Sequence, residues 1–529
     1  MQTHLRSVGT AIRALWTDRT FRVAIALYAL LLIGLQNYGG AYQAEFTGHP
    51  DEPAHFVSAL LLRDYIVQWP LPDPIPWAAQ YYIHYPKVAI GHWPPGYPVM
   101  QALWWLVFLP GRASALYFQV AVALACVTLF YVLAKRIRSG WPAVAAGVVL
   151  LFAPVVQESI ALVLAEVPAL FAALLVLWTL TRLLENPGTG RLAGVLGALI
   201  VSIAVKGSGV ALFAAPVFAV FAGRAFRQLP IFRTLLVTGA VGITAGGLLL
   251  WQYRGNLEAV RSWGGLRLDT LPWAIDLLPG LLGAGFLAVA AVGTILTLWH
   301  RRPAQLAAAA MLLSIVATSY FVRAMRESRH WIAAIPVILL LTLTVYRWLE
   351  ERWAVMAPLA MAGALLWFPF SIYRQQPEGF LALATQLHLP ARMLVSSSLG
   401  WSEGSWIAVV AASEKRPQST VVRATKLLAD TSWNGDRYRL LAGTAGQIEE
   451  KLDQTAVDIV VLHNAPEPTP NWMPHHELLR SFVRTSSAWR PCASAGTVEA
   501  YCRVTQPRYP RKPLRIDLRS RIGREIEEQ

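Results

Sequence analysis

Long apolar stretches separated by short basic segments run through the first 373 residues, and a mixed texture of short apolar runs and polar helical patterns follows from about 380. Stretches long enough to cross about 30 Å of hydrocarbon at helical rise lie near 21–38, 113–134, 141–157, 160–181, 191–205, 208–223, 234–251, 275–299, 304–322, 331–347 and 353–373. That pattern predicts about eleven spans. The two flanking Lys206-Gly207 are short, which suits broken or tilted helices. Further on, Met393-Leu394-Val395-Ser396 and Val457-Asp458-Ile459-Val460-Val461-Leu462 read as strands and Ala445 to Asp453 as a helix, so residues 380–505 are expected to form a small α/β domain. The remainder, 506–529, is a charged, proline-bearing tail expected to be mobile. The fold class is therefore a polytopic α-helical membrane protein, with residues 1–375 as the membrane domain and a small soluble C-terminal domain.

Composition agrees. Apolar residues make up 55% of the 529 positions and charged residues 15%, far from the averages of soluble domains. The net charge of +15 would point to nucleic acid in a soluble protein. Here the basic residues fall in alternate connections, beginning with Arg6, Arg13, Arg19 and Arg22, then Lys135, Arg136 and Arg138, then Arg182 and Arg191. They continue through Arg224, Arg227 and Arg233, Arg301 and Arg302, and Arg347 and Arg352. By the positive-inside rule these connections and the N-terminus are cytoplasmic, so no nucleic-acid partner is expected and the chain is placed as a multi-pass protein of the inner (plasma) membrane. The long loop 39–112 and everything beyond 373 then lie on the periplasmic or extracellular side. The first apolar stretch carries no cleavage pattern and reads as a retained anchor. Cys126 falls inside a span; Cys492 and Cys502, ten residues apart, could form a hairpin disulfide or remain thiols.

The candidate chemistry lies at the outer ends of the spans. Asp51-Glu52 opens the long loop, where carboxylates are either solvated or used in an aqueous cavity. His92-Trp93-Pro94-Pro95 follows, with the prolines expected to hold the loop extended; His92 with a carboxylate such as Glu52 could bind a divalent cation, and no other cofactor is expected. Glu158 stands where a span reaches the outer face, and Glu166 lies further along the next, either in the site or paired structurally with Lys206 or an arginine. Lys206, followed by Gly207-Ser208-Gly209, suits anion binding at a helix terminus, with snorkelling to the interface as the alternative. Arg323, Arg326, Arg329 and His330 form a basic cluster on the outer side, against the charge trend, for which a phosphate is a natural reason. Carboxylates facing cations at membrane depth suit displacement at a sugar carbon: the acid activates a hydroxyl, and the cations stabilise a departing phosphate.

These residues resemble a family. Over residues 20 to about 345 the chain is similar to the GT-C glycosyltransferases that use dolichyl- or undecaprenyl-phosphate sugars, the group of the protein O-mannosyltransferases and ArnT-like enzymes. The resemblance rests on Asp51-Glu52, on His92-Trp93-Pro94-Pro95 in place of an acid-Lys-Pro-Pro element, on Ser159 through Pro168, on Val205-Lys206-Gly207, and on Arg329-His330 before a span with Pro336. It implies catalysis by Asp51 with Glu52 beside it and a donor-phosphate contact from Lys206; Arg326 and Arg329 are expected to complete the phosphate clamp, and Glu158, Glu166 and His330 to take acceptor or supporting roles. The expected activity is inverting transfer of a sugar from a polyprenyl-phosphate carrier, in a membrane lipid setting, to a protein, lipid or glycan acceptor on the outer face. The rival class is a transporter or lipid flippase; no inverted repeat with paired broken helices supports it. A third, a membrane-anchored scaffold whose working part is the C-terminal domain, leaves the intramembrane charges without a role.

Overall fold

A computed structural model of the chain describes residues 17–89, 91–223, 231–252, 270–322, 327–431, 438–465, 473–518 and 525–528. Among these, Arg19–Tyr38, Arg112–Lys135 and Glu166–Glu185 are single helices long and apolar enough to cross a membrane. The first starts where Asp18 accepts from the amides of Thr20 and Phe21 at 3.0 and 3.4 Å and forms an ion pair with Lys135, tying two helices together at one membrane face.

Two expected spans are broken. Trp141–Phe152 and Pro154–Ala161 meet at 64°, and Asp276–Leu282 and Ala284–His300 at 99°. Pro154 has no amide to donate into the preceding turn, and Gly283 sits at φ 86°, a conformation that favours glycine. Counting each bent pair as one span gives up to five by length and composition, alongside the shorter apolar helices Thr189–Val205, Pro303–Ser319 and Met356–Leu365. The break expected near Lys206 is present: its backbone is extended, and the 3-10 turn Gly207–Leu212 separates Thr189–Val205 from Ala215–Ala222.

The long first loop is helical rather than extended. It holds Glu52–Val67, Pro74–His84 and Gly96–Val107. Pro95, expected in an extended segment, takes helical angles immediately before Gly96, which a proline tolerates at a helix start because no turn precedes it there. Gly96 is required by packing: a Cβ there would strike the backbone of Ala204 and Val205, which brings this loop against the segment carrying Lys206.

The C-terminal part contains β1 (Arg392–Ser397), β2 (Thr420–Arg423), β3 (Ala429–Asp430), β4 (Arg439–Leu440), β5 (Ile459–His463), β6 (Trp489–Ala495) and β7 (Val498–Arg503). The main sheet runs β2-β1-β5-β7-β6, parallel across β2, β1 and β5 and antiparallel beyond. Both expected strands and the expected helix, observed as Ala445–Gln454 with a Thr444/Gln447 capping box, are present. Cys492 and Cys502 form a disulfide between β6 and β7. The tail, expected to be mobile, is tied back instead: β8 (Arg515–Asp517) pairs with β9 (Glu525–Glu527), and Leu518 and Ile526 pack on Ala79 and Ile83 of helix Pro74–His84. Its few apolar residues supply that contact.

Polar contacts also join this part to the first loop. Glu45 accepts the amides of Glu378, Gly379, Phe380 and Leu381 at 2.7–3.0 Å, capping helix Phe380–Gln386 at the end where a carboxylate is favoured. Helix Glu403–Ser413 lies on Glu52–Val67, and Ser405 Oγ donates to the Phe46 carbonyl at 2.9 Å.

Candidate active site

Four charged residues from four segments meet at one end of the helices. Asp51 stands just before helix Glu52–Val67, Glu166 is the first residue of Glu166–Glu185, Lys206 ends Thr189–Val205, and Arg329 lies in the turn Ser328–Trp331. Arg329 Nη1 donates to Asp51 Oδ2 at 2.8 Å and lies 3.7 Å from Glu166 Oε1, which accepts from Lys206 Nζ at 2.5 Å. Glu327 Oε2 takes Arg329 Nε at 2.6 Å. The Glu166 side chain is only 2% exposed, those of Asp51, Lys206 and Arg329 12%, 14% and 24%, so the cluster is dry on one side and open on the other. Glu166 Oε2 is buried without a hydrogen-bond partner among the described residues.

Histidines line this cluster. The Asp51 amide donates to His49 Nδ1 at 3.1 Å. Burial pushes the Asp51 carboxyl up, but the charges of Arg329, His49 and His55 and the Arg329 hydrogen bond outweigh it and hold the group below its usual range. His49 is lowered by burial, and His55, stacked on Trp93 at 4.1 Å and edge-on to Tyr97 at 5.0 Å, is pushed down by burial to about 4. Burial also lowers His330 well below the usual histidine value. Burial thus favours the neutral form of all three rings.

Glu52, next in sequence to Asp51, points elsewhere. Its carboxylate is fully buried, and Oε1 accepts from Arg112 Nε and Nη2 at 3.1 and 2.9 Å and from the Val163 amide at 3.2 Å. Arg112 further donates to Gln375 Oε1 at 3.2 Å and to the Ala41 carbonyl. This fixes the first loop to the helix Pro154–Ala161 turn and to the segment after the last span. Where catalysis or metal binding was expected of Glu52, the structure shows a buried ion pair with Arg112. The expected metal pair of Glu52 and His92 is a poor fit: Glu52 Oε1 already faces the Arg112 guanidinium, and no group of three His, Cys, Asp or Glu suited to a metal occurs among the described residues.

Glu158 makes no ion pair among the described residues, yet it stands close enough to Glu166 and Arg329 to feel their charge. His330 Nε2 lies 3.8 Å from Glu327 Oε2, and Arg326 and Arg323 lie outside the described residues. The sequence reading passed over His49, His55, Glu327, Arg112 and Glu45. Of these only His49 and His55 carried a signal, as histidines flanking the acidic dyad.

The fold has solved counterparts. ArnT from Cupriavidus metallidurans bound to undecaprenyl phosphate matches with a TM-score of 0.55 at 14% identity, over 93% of this chain and 100% of that one. Its apo state matches with a TM-score of 0.56 at 13% identity, over 91% and 98%. The apo oligosaccharyltransferase of Archaeoglobus fulgidus gives a TM-score of 0.48 at 13% identity, over 84% of this chain and 70% of that one. No protein-family profile and no curated protein matches the chain. The chain has the GT-C fold of ArnT, a helical membrane fold, as the resemblance of its motifs led one to expect.

Proposed function

We propose that this protein is a glycosyltransferase that moves a sugar, with inversion, from a polyprenyl-phosphate carrier to an acceptor on the outer face of the membrane. The observation that carries the reading is the Asp51-Arg329-Glu166-Lys206 cluster, half open, on the fold of an enzyme whose solved structure holds undecaprenyl phosphate. The reading includes eleven spans, a cytoplasmic N-terminus, location in the inner membrane and a 380–505 domain on the side of the site.

In the ligand-free state each cation is held by a carboxylate. An incoming donor phosphodiester competes for Lys206 and Arg329, charge-assisted contacts that suit a phosphate. As Arg329 turns to the phosphate, Asp51 loses its partner and becomes a stronger base. The acceptor hydroxyl then gives its proton to Asp51 while its oxygen bonds to the anomeric carbon from the face opposite the phosphate. The anomeric carbon–oxygen bond breaks, and the polyprenyl phosphate leaves with the electron pair, its charge met by Lys206 and Arg329. Arg326 stays in the proposal as a further cation, Glu166 positions Lys206, and Glu158 and His330 face the acceptor side. No step runs through a metal.

The test is transfer of labelled sugar from a panel of purified polyprenyl-phosphate sugars in detergent, after identification of the lipid head groups that co-purify. Product formation with inverted anomeric configuration supports the reading. Passage of intact donor across vesicles without any transfer would replace it with the flippase class.

A further inference from the structure

A pocket lies at the other end of helix Glu52–Val67 from Asp51. It is a cavity of about 820 Å³ enclosed by the end of that helix, helix Pro74–His84 and the segment following helix Glu403–Ser413, within the size range of small-ligand sites. Thirteen residues of helix separate Asp64 in its wall from Asp51, about 20 Å at helical rise. It is not the donor clamp.

Its carboxylates are already engaged. Asp64 accepts from Arg63 Nη1 at 2.8 Å and Tyr81 Oη at 3.1 Å, and Glu414 accepts from Tyr85 Oη at 2.5 Å and from the amides of Gln418 and Ser419. Lys415 and Arg416, exposed in the same wall, have no ion pair among the described residues. The pocket therefore presents Lys415 and Arg416 beside two carboxylates whose oxygens are already hydrogen-bonded, with Arg416 near enough to Asp64 to act on its charge.

The opposite edge is apolar. Val67 and Leu109 line it, 50% and 87% exposed, and Leu109 continues into the exposed side chains of Leu103, Val107 and Phe108 on and just after helix Gly96–Val107. Leu109 comes three residues before the membrane-crossing helix Arg112–Lys135, so this strip stands at the lipid boundary, where exposed apolar surface marks membrane contact. A cationic wall joined to an apolar strip at that depth complements one kind of molecule, an amphiphile with an anionic head. We infer that this cavity binds the phosphate-bearing head group of a membrane lipid, with Lys415 and Arg416 on the phosphate and the chain laid along Leu109 and Phe108. The inference concerns binding alone and stands apart from the transfer reaction.

The experiment is native mass spectrometry of the full chain in detergent, titrated with dioctanoyl phosphatidylglycerol, dioctanoyl phosphatidylcholine or glycerol 1-phosphate. Phosphatidylglycerol should bind in preference to phosphatidylcholine, and glycerol 1-phosphate only weakly. Lys415→Ala with Arg416→Ala, and separately Leu109→Asp, should each weaken phosphatidylglycerol by roughly tenfold or more, as loss of basic residues at an anionic lipid does, while Lys206→Ala leaves it unchanged. All three altered side chains at the pocket are exposed, so the fold is retained. Equal binding by the double variant and the unaltered chain, equal binding of the two lipids, tight binding of glycerol 1-phosphate, or loss through Lys206→Ala alone would each overturn the inference.

Discussion

Asp51 and Glu52 are neighbours in the chain, and their side chains enter two different regions. A step of one residue near a helix start turns the side chain by about 100°. Asp51 thus enters a half-open network with Arg329, Glu166 and Lys206, and Glu52 enters a dry pair with Arg112. In the first region each charge has a partner that a ligand can displace. In the second, displacement would leave a guanidinium in the interior. Solvent access, more than residue type, separates the carboxylate proposed to do chemistry from the one that holds the chain.

The largest effect should come from the dry region. Glu52→Gln removes the counter-charge of Arg112, and an uncompensated buried charge costs about 3–5 kcal/mol. Thermal unfolding in detergent should fall markedly, with the folded yield reduced. Pairing the change with Arg112→Met should recover much of the loss. An unaltered melt for Glu52→Gln alone would erase the distinction between the two regions.

In the open region, Asp51→Asn keeps size and hydrogen bonding but cannot take a proton. Turnover should fall roughly 100-fold or more, with the melt nearly unchanged and donor binding retained. Near-normal transfer by a folded Asp51→Asn protein would move the base to Glu158 or Glu166.

That contrast shows how far the sequence could be read. Asp51, Glu166, Lys206 and Arg329 stand out because a charge at the end of an apolar stretch is expensive and needs a reason. Their meeting agrees with the expected division into acids and cations. The Glu52–Arg112 pair was not legible because Arg112 is sixty residues away and looks like an ordinary residue at the start of a span. Glu45 was passed over for the same reason, since the helix it caps begins at Phe380. Hydropathy also averages over a whole span, so single-residue breaks at Pro154 and Gly283 are invisible to it. The Pro94-Pro95 pair suggested extended chain, whereas Pro95 sits before the first turn of a helix, a position that costs no hydrogen bond.

A smaller effect sharpens the open region. Lys206→Ala and Arg329→Ala should each weaken donor binding by about 1.5–3 kcal/mol, the usual loss for a charged contact. Binding is measured by titration with polyprenyl-phosphate sugar, with a melt alongside because Lys206→Ala leaves Glu166 short of a partner. Unchanged affinity in both variants would show that the donor phosphate is held elsewhere.

The smallest effect concerns pH, and it tests whether Arg329 leaves Asp51 when the donor arrives. In the ligand-free protein the Asp51 carboxyl is held below its ordinary 3.8. A group depressed in this way contributes stability that is present above 3.8 and lost only as pH falls through the folded value. It is therefore ionised throughout pH 5–7, and kcat/KM, which reports the free enzyme, should vary on its account by less than about twofold across that window. The donor is a phosphodiester and stays charged over the same range. Once Arg329 turns to the phosphate, the largest force lowering Asp51 is withdrawn while burial still raises it. An acid limb should then appear at higher pH in kcat, which reports the bound complex, than in kcat/KM. Superimposable limbs in the two profiles would mean that the Asp51–Arg329 pair persists through the reaction, and that the open region is as fixed as the Glu52–Arg112 pair beside it.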